Sequence, residues 1–116
     1  MLVVLSPAKN LNLEPPRADL PATQPALLSE ASTLIKSCKR QSVKKIAALM
    51  ELSDKLATLN HERFAAWTEA HTLDNSKHAA LMFDGDTYKG LDAPSLSDDE
   101  LRYAQDHVVL LSGLYG

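Results

Sequence analysis

Two short, continuous apolar runs constrain this chain most: Leu2-Val3-Val4-Leu5, closed by Ser6-Pro7, and Val108-Val109-Leu110-Leu111. Neither alternates polar with apolar residues and both carry β-branched side chains, so each reads as a strand buried on both faces, of the parallel type. Ala79 to Phe83 is a third apolar run, expected to be a strand, with Asp84-Gly85-Asp86 as a turn after it. Elsewhere the apolar residues fall at helical spacing. Pro25 suits a first helical position, and Leu27, Ala31, Leu34, Ile35 and Cys38 then predict an amphipathic helix over about residues 25–39. Lys39-Arg40 stand in its last turn, where cations suit the dipole. Ser42 caps a short second helix carrying Val43, Ile46, Ala47 and Leu49 or Met50. Ser53 or Asp54 caps a third, with Leu56, Leu59, Phe64 and Trp67 as its stripe. Only Glu51-Leu52 separates these two, which predicts a tight helical hairpin at about residues 42–68. Ser97-Asp98-Asp99-Glu100 is a capping box opening a helix over about residues 97–107. The order strand, three helices, strand, helix, strand predicts an α/β fold with a parallel or mixed sheet and a helical insertion. Residues 10–25, with Pro15, Pro16, Pro21 and Pro25, read as a long loop.

At 116 residues, 45% apolar and 23% charged, the chain has enough apolar matter for a core, which excludes disorder for most of its length. No apolar run approaches the roughly 18 residues of a membrane helix, and Met1 to Leu5 is too short, and lacks the basic flank, for a signal peptide. A single cysteine, Cys38, excludes an internal disulfide framework and fits a reducing compartment; the cytoplasm is expected. The apolar Val108–Gly116 end is expected to be a strand and turn of a unit that continues beyond it. The formal charge of −3 hides an asymmetry. From Lys36 to Arg63 seven bases (Lys36, Lys39, Arg40, Lys44, Lys45, Lys55, Arg63) face three acids (Glu51, Asp54, Glu62), a net of +4. From His71 onward three bases face eight acids, a net of −5. A basic stretch in an acidic chain is either the footprint of a polyanion partner or a solvated helix face.

Few patterns carry chemistry. His61, His71, His78 and His107 are not paired at i,i+4, Cys38 has no cysteine partner and lies on a helix's apolar stripe, and neither a Gly-rich phosphate loop nor Gly-x-Ser-x-Gly is present, so neither metal nor cofactor is expected. Leu5-Ser6-Pro7-Ala8-Lys9 leaves the first strand at its carboxyl end, where α/β sheets bind ligands; Ser6 and Lys9 there suit an anion, or a lysine in solvent. In Phe83-Asp84-Gly85-Asp86-Thr87-Tyr88-Lys89-Gly90-Leu91 two carboxylates two residues apart suit a divalent ion, acid–base work, or a plain Asp-Gly turn. Catalytic candidates are therefore Ser6, Lys9, Asp84, Asp86 and Tyr88.

The hairpin resembles a helix-hairpin-helix module, which binds the DNA backbone without reading sequence. Leu49, Leu52 and Ala57 fit its apolar frame, but Glu51 and Ser53 replace its two glycines. Glu51 does not easily take positive φ and its charge opposes a phosphate, so a plain helical hairpin stays open as the alternative. The DNA-binding candidates are Lys36, Lys39, Arg40, Lys44, Lys45, Ser53, Lys55 and Arg63.

Four segments in order resemble the YaaA family of bacterial peroxide-stress proteins: Leu5-Ser6-Pro7-Ala8-Lys9-Asn10-Leu11; Leu49 to Ala57 with Asn60 and Arg63-Phe64; Phe83 to Leu91; and Leu111-Ser112-Gly113-Leu114-Tyr115-Gly116. Asn10 departs from the usual threonine. The resemblance covers essentially the whole chain and implies the N-terminal half of a longer single domain, with the C-terminal half absent. It also implies a mixed α/β fold with a helix-hairpin-helix-like element and a basic cleft, binding of double-stranded or branched DNA, and survival of hydrogen peroxide with less iron-driven DNA damage. No established reaction comes with it. The alternative is an enzyme acting on a nucleotide or nucleic acid through the strand-end residues. Direct iron handling has no convincing ligand set.

Overall fold

A computed structural model describes residues 1–116, which form six helices and four short strands. They divide into two compact units, one of residues 1–24, 71–114 and 116, the other of residues 25–70 with Tyr115.

In the first unit the two apolar runs are strands and partners: β1 (Val3–Leu5) pairs in parallel with β4 (Val108–Leu110), Val3 opposite Val108 and Leu5 opposite Leu110. Full burial does not follow. Val4 is 52% exposed and Val109 39%, because this sheet has two strands, both of them edges. A separate antiparallel pair joins β2 (Asn10–Leu11) to β3 (Phe83–Asp84), with Asn10 opposite Asp84. The mixed pairing is thus spread over two sheets instead of one, and Asn10-Leu11 leaves the expected loop to become a strand.

The run Ala79 to Phe83 winds mostly into a one-turn helix, α4 (Ala79–Met82), and only Phe83 enters β3. Ala-Ala-Leu-Met are strong helix formers with no β-branched member, so propensity overrides the apolar run. The expected Asp84-Gly85-Asp86 turn is instead an extended Gly85 capping α5 (Asp86–Leu91). Space at Gly85 is tight: a Cβ there would stand 3.1 Å from Ala8 Cβ, so a larger residue would push Ala8 back by a few tenths of an ångström. Helix α6 (Asp98–His107) begins with the full capping box, Ser97 Oγ accepting from Glu100 N and Glu100 Oε2 accepting from Ser97 N at 2.8 Å. The bond from the Ser97 N–H holds the Glu100 carboxyl below its ordinary pKa. A depressed carboxyl stabilises the fold above its unfolded pKa and loses that contribution as pH falls through the folded value. The proline-bearing loop is held by side chains: Lys77 Nζ donates to the Asn12 and Glu14 carbonyls, and His78 Nε2 lies 3.2 and 3.1 Å from those of Leu20 and Pro21.

The second unit is three helices: α1 (Leu28–Lys39), α2 (Val43–Met50) and α3 (Asp54–Ala66). Leu27 is the N-cap of α1, so Pro25 precedes the helix instead of opening it. Ala31 and Ile35 from α1, Ile46 from α2 and Ala57 from α3 are its buried core. The inward face of α3 runs through Ala57, Asn60, His61 and Phe64, while Leu56 and Leu59 of the expected stripe are 46% and 39% exposed. A three-residue connection, Glu51 to Ser53, brings α2 and α3 so close that a small side chain fits at the contact, and Ala57 sets the helical phase.

Ser42 and Ser53 cap α2 and α3, their Oγ atoms accepting from Lys45 N and Leu56 N. Glu51 ends α2 at φ 52° and ψ 46°, in the left-handed region the sequence argued against. The Leu52 N–H on Ala47 O, at 3.0 Å, closes the turn around it. Left-handed backbone costs a non-glycine residue about 1–2 kcal/mol. Glu51→Gly is therefore expected to raise stability by up to about 1 kcal/mol, the glycine's own chain entropy offsetting the rest, whereas Ser53→Ala should lower it by about 1 kcal/mol. Urea melts of the two variants check both signs.

Candidate functional site

The strand-end residues converge. Ser6 to Asn10 run from β1 into β2, and Asp84 to Tyr88 run from β3 into α5; together they line one open cavity of about 300 Å³. Pairing of Asn10 with Asp84 ties the two walls at one end. At the other, the Tyr88 hydroxyl donates to the Ser6 carbonyl at 2.6 Å. Between them Gly85 sits under Ala8. The walls are thus joined at three points.

Tyr88 is only 5% exposed, its ring is 5.2 Å from that of Phe83, and burial raises the pKa of its phenol. Its proton is engaged by Ser6 O, so in this structure it fastens the walls. The other candidates lie open to solvent: Ser6, Lys9, Asp84 and Asp86 are exposed. Lys89 Nζ stands 4.0 Å from Asp84 Oδ1, which leaves Asp86 and Lys9 as the charged groups of the cavity without an ion pair. Asn10 and Thr87 also line the cavity, and the sequence did not single them out as site residues. The signal for Asn10 is its pairing with Asp84, which depends on contact between distant segments. No three or more His, Cys, Asp or Glu side chains gather in a way that could hold a metal ion.

The basic candidates lie in the helical unit. Lys36 and Lys39 stand in the last turn of α1 and Arg63 in the last turn of α3, where cations suit the helix dipole. Lys44, Lys45 and Lys55 do not: they stand in first turns, beside the free N–H groups, and the first turn of α2 has no acid. All seven cations are exposed and none is in an ion pair. Lys39 Nζ donates to Trp67 O at 2.9 Å and Arg40 Nη2 to Ser37 Oγ at 3.2 Å. No helix of the structure is long and apolar enough to cross a membrane.

Comparison with known proteins agrees with the motif pattern. A family model described as peroxide stress protein YaaA matches residues 1–116. The chain is 53% identical over its whole length to UPF0246 proteins of Albidiferax ferrireducens, Bordetella avium and Burkholderia mallei. In each case it spans 45% of the relative's length.

Proposed function

The chain belongs to the peroxide stress protein YaaA family, and from that premise we propose that it contributes a DNA-backbone contact to a protein that protects the cell against hydrogen peroxide. The contact is the α2–α3 hairpin. The observation that carries this reading is the first turn of α2, where Lys44 and Lys45 add positive charge to a helix N-terminus that already favours anions and has no acid to offset it. Cations at that end cost the isolated helix a few tenths of a kcal/mol, a cost that a bound phosphate reverses. Lys55 adds a cation across the turn, in the first turn of α3 that Ser53 caps and where Asp54 offsets part of the charge, and Lys36, Lys39, Arg40 and Arg63 widen the field. Phosphate contacts of this kind position a protein on DNA and carry no base information. The expected benefit is lower iron-driven damage to the bound DNA.

The test is binding of the intact protein to duplexes of two unrelated sequences, and to a branched junction, across a series of salt concentrations. Affinity should fall linearly in log–log form with a slope of about −0.9 for each phosphate neutralised, equally for both sequences. Binding that ignores salt, or that follows sequence, rejects the reading.

A second reading, an enzyme acting on a nucleotide or nucleic acid, is favoured by the convergence of Ser6, Lys9, Asp84, Asp86 and Tyr88 on one cavity. A concave site lined by a free cation and a free carboxylate has the groups that acid–base chemistry needs.

A further inference from the structure

We infer that the cavity between Ser6–Asn10 and Asp84–Tyr88 binds a phosphorylated sugar, with the phosphate on Lys9 and the sugar hydroxyls on Asp86, Thr87 and Asn10. The inference deepens the second reading above and is independent of the hairpin.

The Ser6–Asn10 wall carries one cation, Lys9, and no acid. The facing wall carries Asp84 and Asp86, of which Asp84 has Lys89 beside it at 4.0 Å. A bipolar cavity of this kind fits a ligand that is anionic at one end and rich in hydrogen-bond donors at the other. A carboxylate is acceptor-only and takes sugar hydroxyls as donors, while a lysine ammonium is a donor-only point charge suited to phosphate. Asn10, with both a donor and an acceptor, and the Ser6 and Thr87 hydroxyls complete a set for a polyol.

Several polar side chains at the proline-bearing loop are engaged: Arg17 with Asp19 and Asp98, Lys77 with two carbonyls, His78 with two more. By contrast Ser6, Lys9, Asn10, Asp86 and Thr87 direct no side-chain hydrogen bond to the rest of the chain, yet line one cavity. Its walls are fixed by the Tyr88–Ser6 bond, the Asn10–Asp84 pair and the Gly85–Ala8 approach, none of which uses those five side chains. The backbone of both walls is therefore held in place before a ligand arrives, which lowers that part of the cost of binding. Its volume of about 300 Å³ stands at the lower end for small-molecule sites, enough for a sugar phosphate with any base left outside. It also lies past the carboxyl end of β1, where α/β sheets place ligands.

The sugar phosphate could come from a free nucleotide or from the 5′-phosphorylated end of a DNA strand, and the experiment separates them. The intact protein is titrated calorimetrically with ribose 5-phosphate, with ribose, with AMP, and with a short duplex bearing a 5′-phosphate or a 5′-hydroxyl. Saturable binding of ribose 5-phosphate is expected, with ribose weaker by at least about tenfold, the contribution of one charge-assisted contact. Tighter binding of AMP than of the phosphorylated duplex assigns the free nucleotide; a 5′-phosphate preference between the duplexes assigns the strand end. Lys9→Ala should abolish the advantage of ribose 5-phosphate over ribose, Lys9→Arg should restore it, and Asp86→Asn should weaken both. None of these side chains holds the fold, and an unchanged melt for each variant verifies that. Lys44→Glu with Lys45→Glu should leave ribose 5-phosphate binding intact, so failure of the hairpin and failure of the cavity give different results. Absence of saturable ribose 5-phosphate binding at millimolar concentration, or binding that Lys9→Ala does not change, overturns the inference.

Discussion

Tyr88→Ala is expected to destabilise the protein by about 3–5 kcal/mol, the range for deleting a buried aromatic side chain. Tyr88 is one of few large side chains in the strand-containing unit that is almost fully covered, and it supports both β3, through Phe83, and the loop after β1, through Ser6 O. Tyr88→Phe separates the two roles. It keeps the ring and removes only the donor to Ser6 O, so it should cost about 1 kcal/mol, the net value of one hydrogen bond. Urea denaturation of both variants in the intact protein checks the split. If phenylalanine costs as much as alanine, the hydroxyl is the main contribution of Tyr88; if alanine costs under about 1 kcal/mol, the residue is not the strut described here.

Lys44→Glu combined with Lys45→Glu carries the largest expected effect on binding. The pair changes the first turn of α2 from two positive charges to two negative ones, beside N–H groups that would otherwise meet a phosphate. Two lost phosphate contacts and the added repulsion should lower duplex affinity by about 100-fold at low salt. The fold should survive: both side chains are exposed, neither makes an ion pair, and acids in a first helical turn favour the dipole. The variant is thus expected to melt at or slightly above the temperature of the parent while binding DNA far more weakly. That combination is hard to obtain from a damaged fold.

What could be read in the sequence was whatever local chemistry decides. Ser42, Ser53 and Ser97 cap helices through side-chain bonds to residues three positions on, so those starts are legible without any tertiary information. The strands β1 and β4 were legible because β-branched runs have few alternatives. Features set by distant contacts were not. The phase of α3 follows from Ala57 meeting α2, not from the larger Leu56 and Leu59. Glu51 takes left-handed backbone because a three-residue turn between the two helices demands it, against its own preference. The exposure of Val4 and Val109 depends on how many strands complete the sheet, which the runs themselves do not state. In the cavity, Ser6, Lys9, Asp84 and Asp86 were legible from their positions after expected strands. Asn10 and Thr87 joined them only through the β2–β3 pairing and the helical start at Asp86.

Contact between the hairpin of this YaaA-family chain and the DNA backbone is tested most directly by one slope. Duplex affinity of the intact protein and of its Lys44→Glu, Lys45→Glu variant is measured from low to moderate salt. The expected result is a log–log slope shallower by about 1.8 in the variant, two phosphate contacts at about 0.9 each. A variant whose affinity and slope both equal those of the parent contradicts that contact.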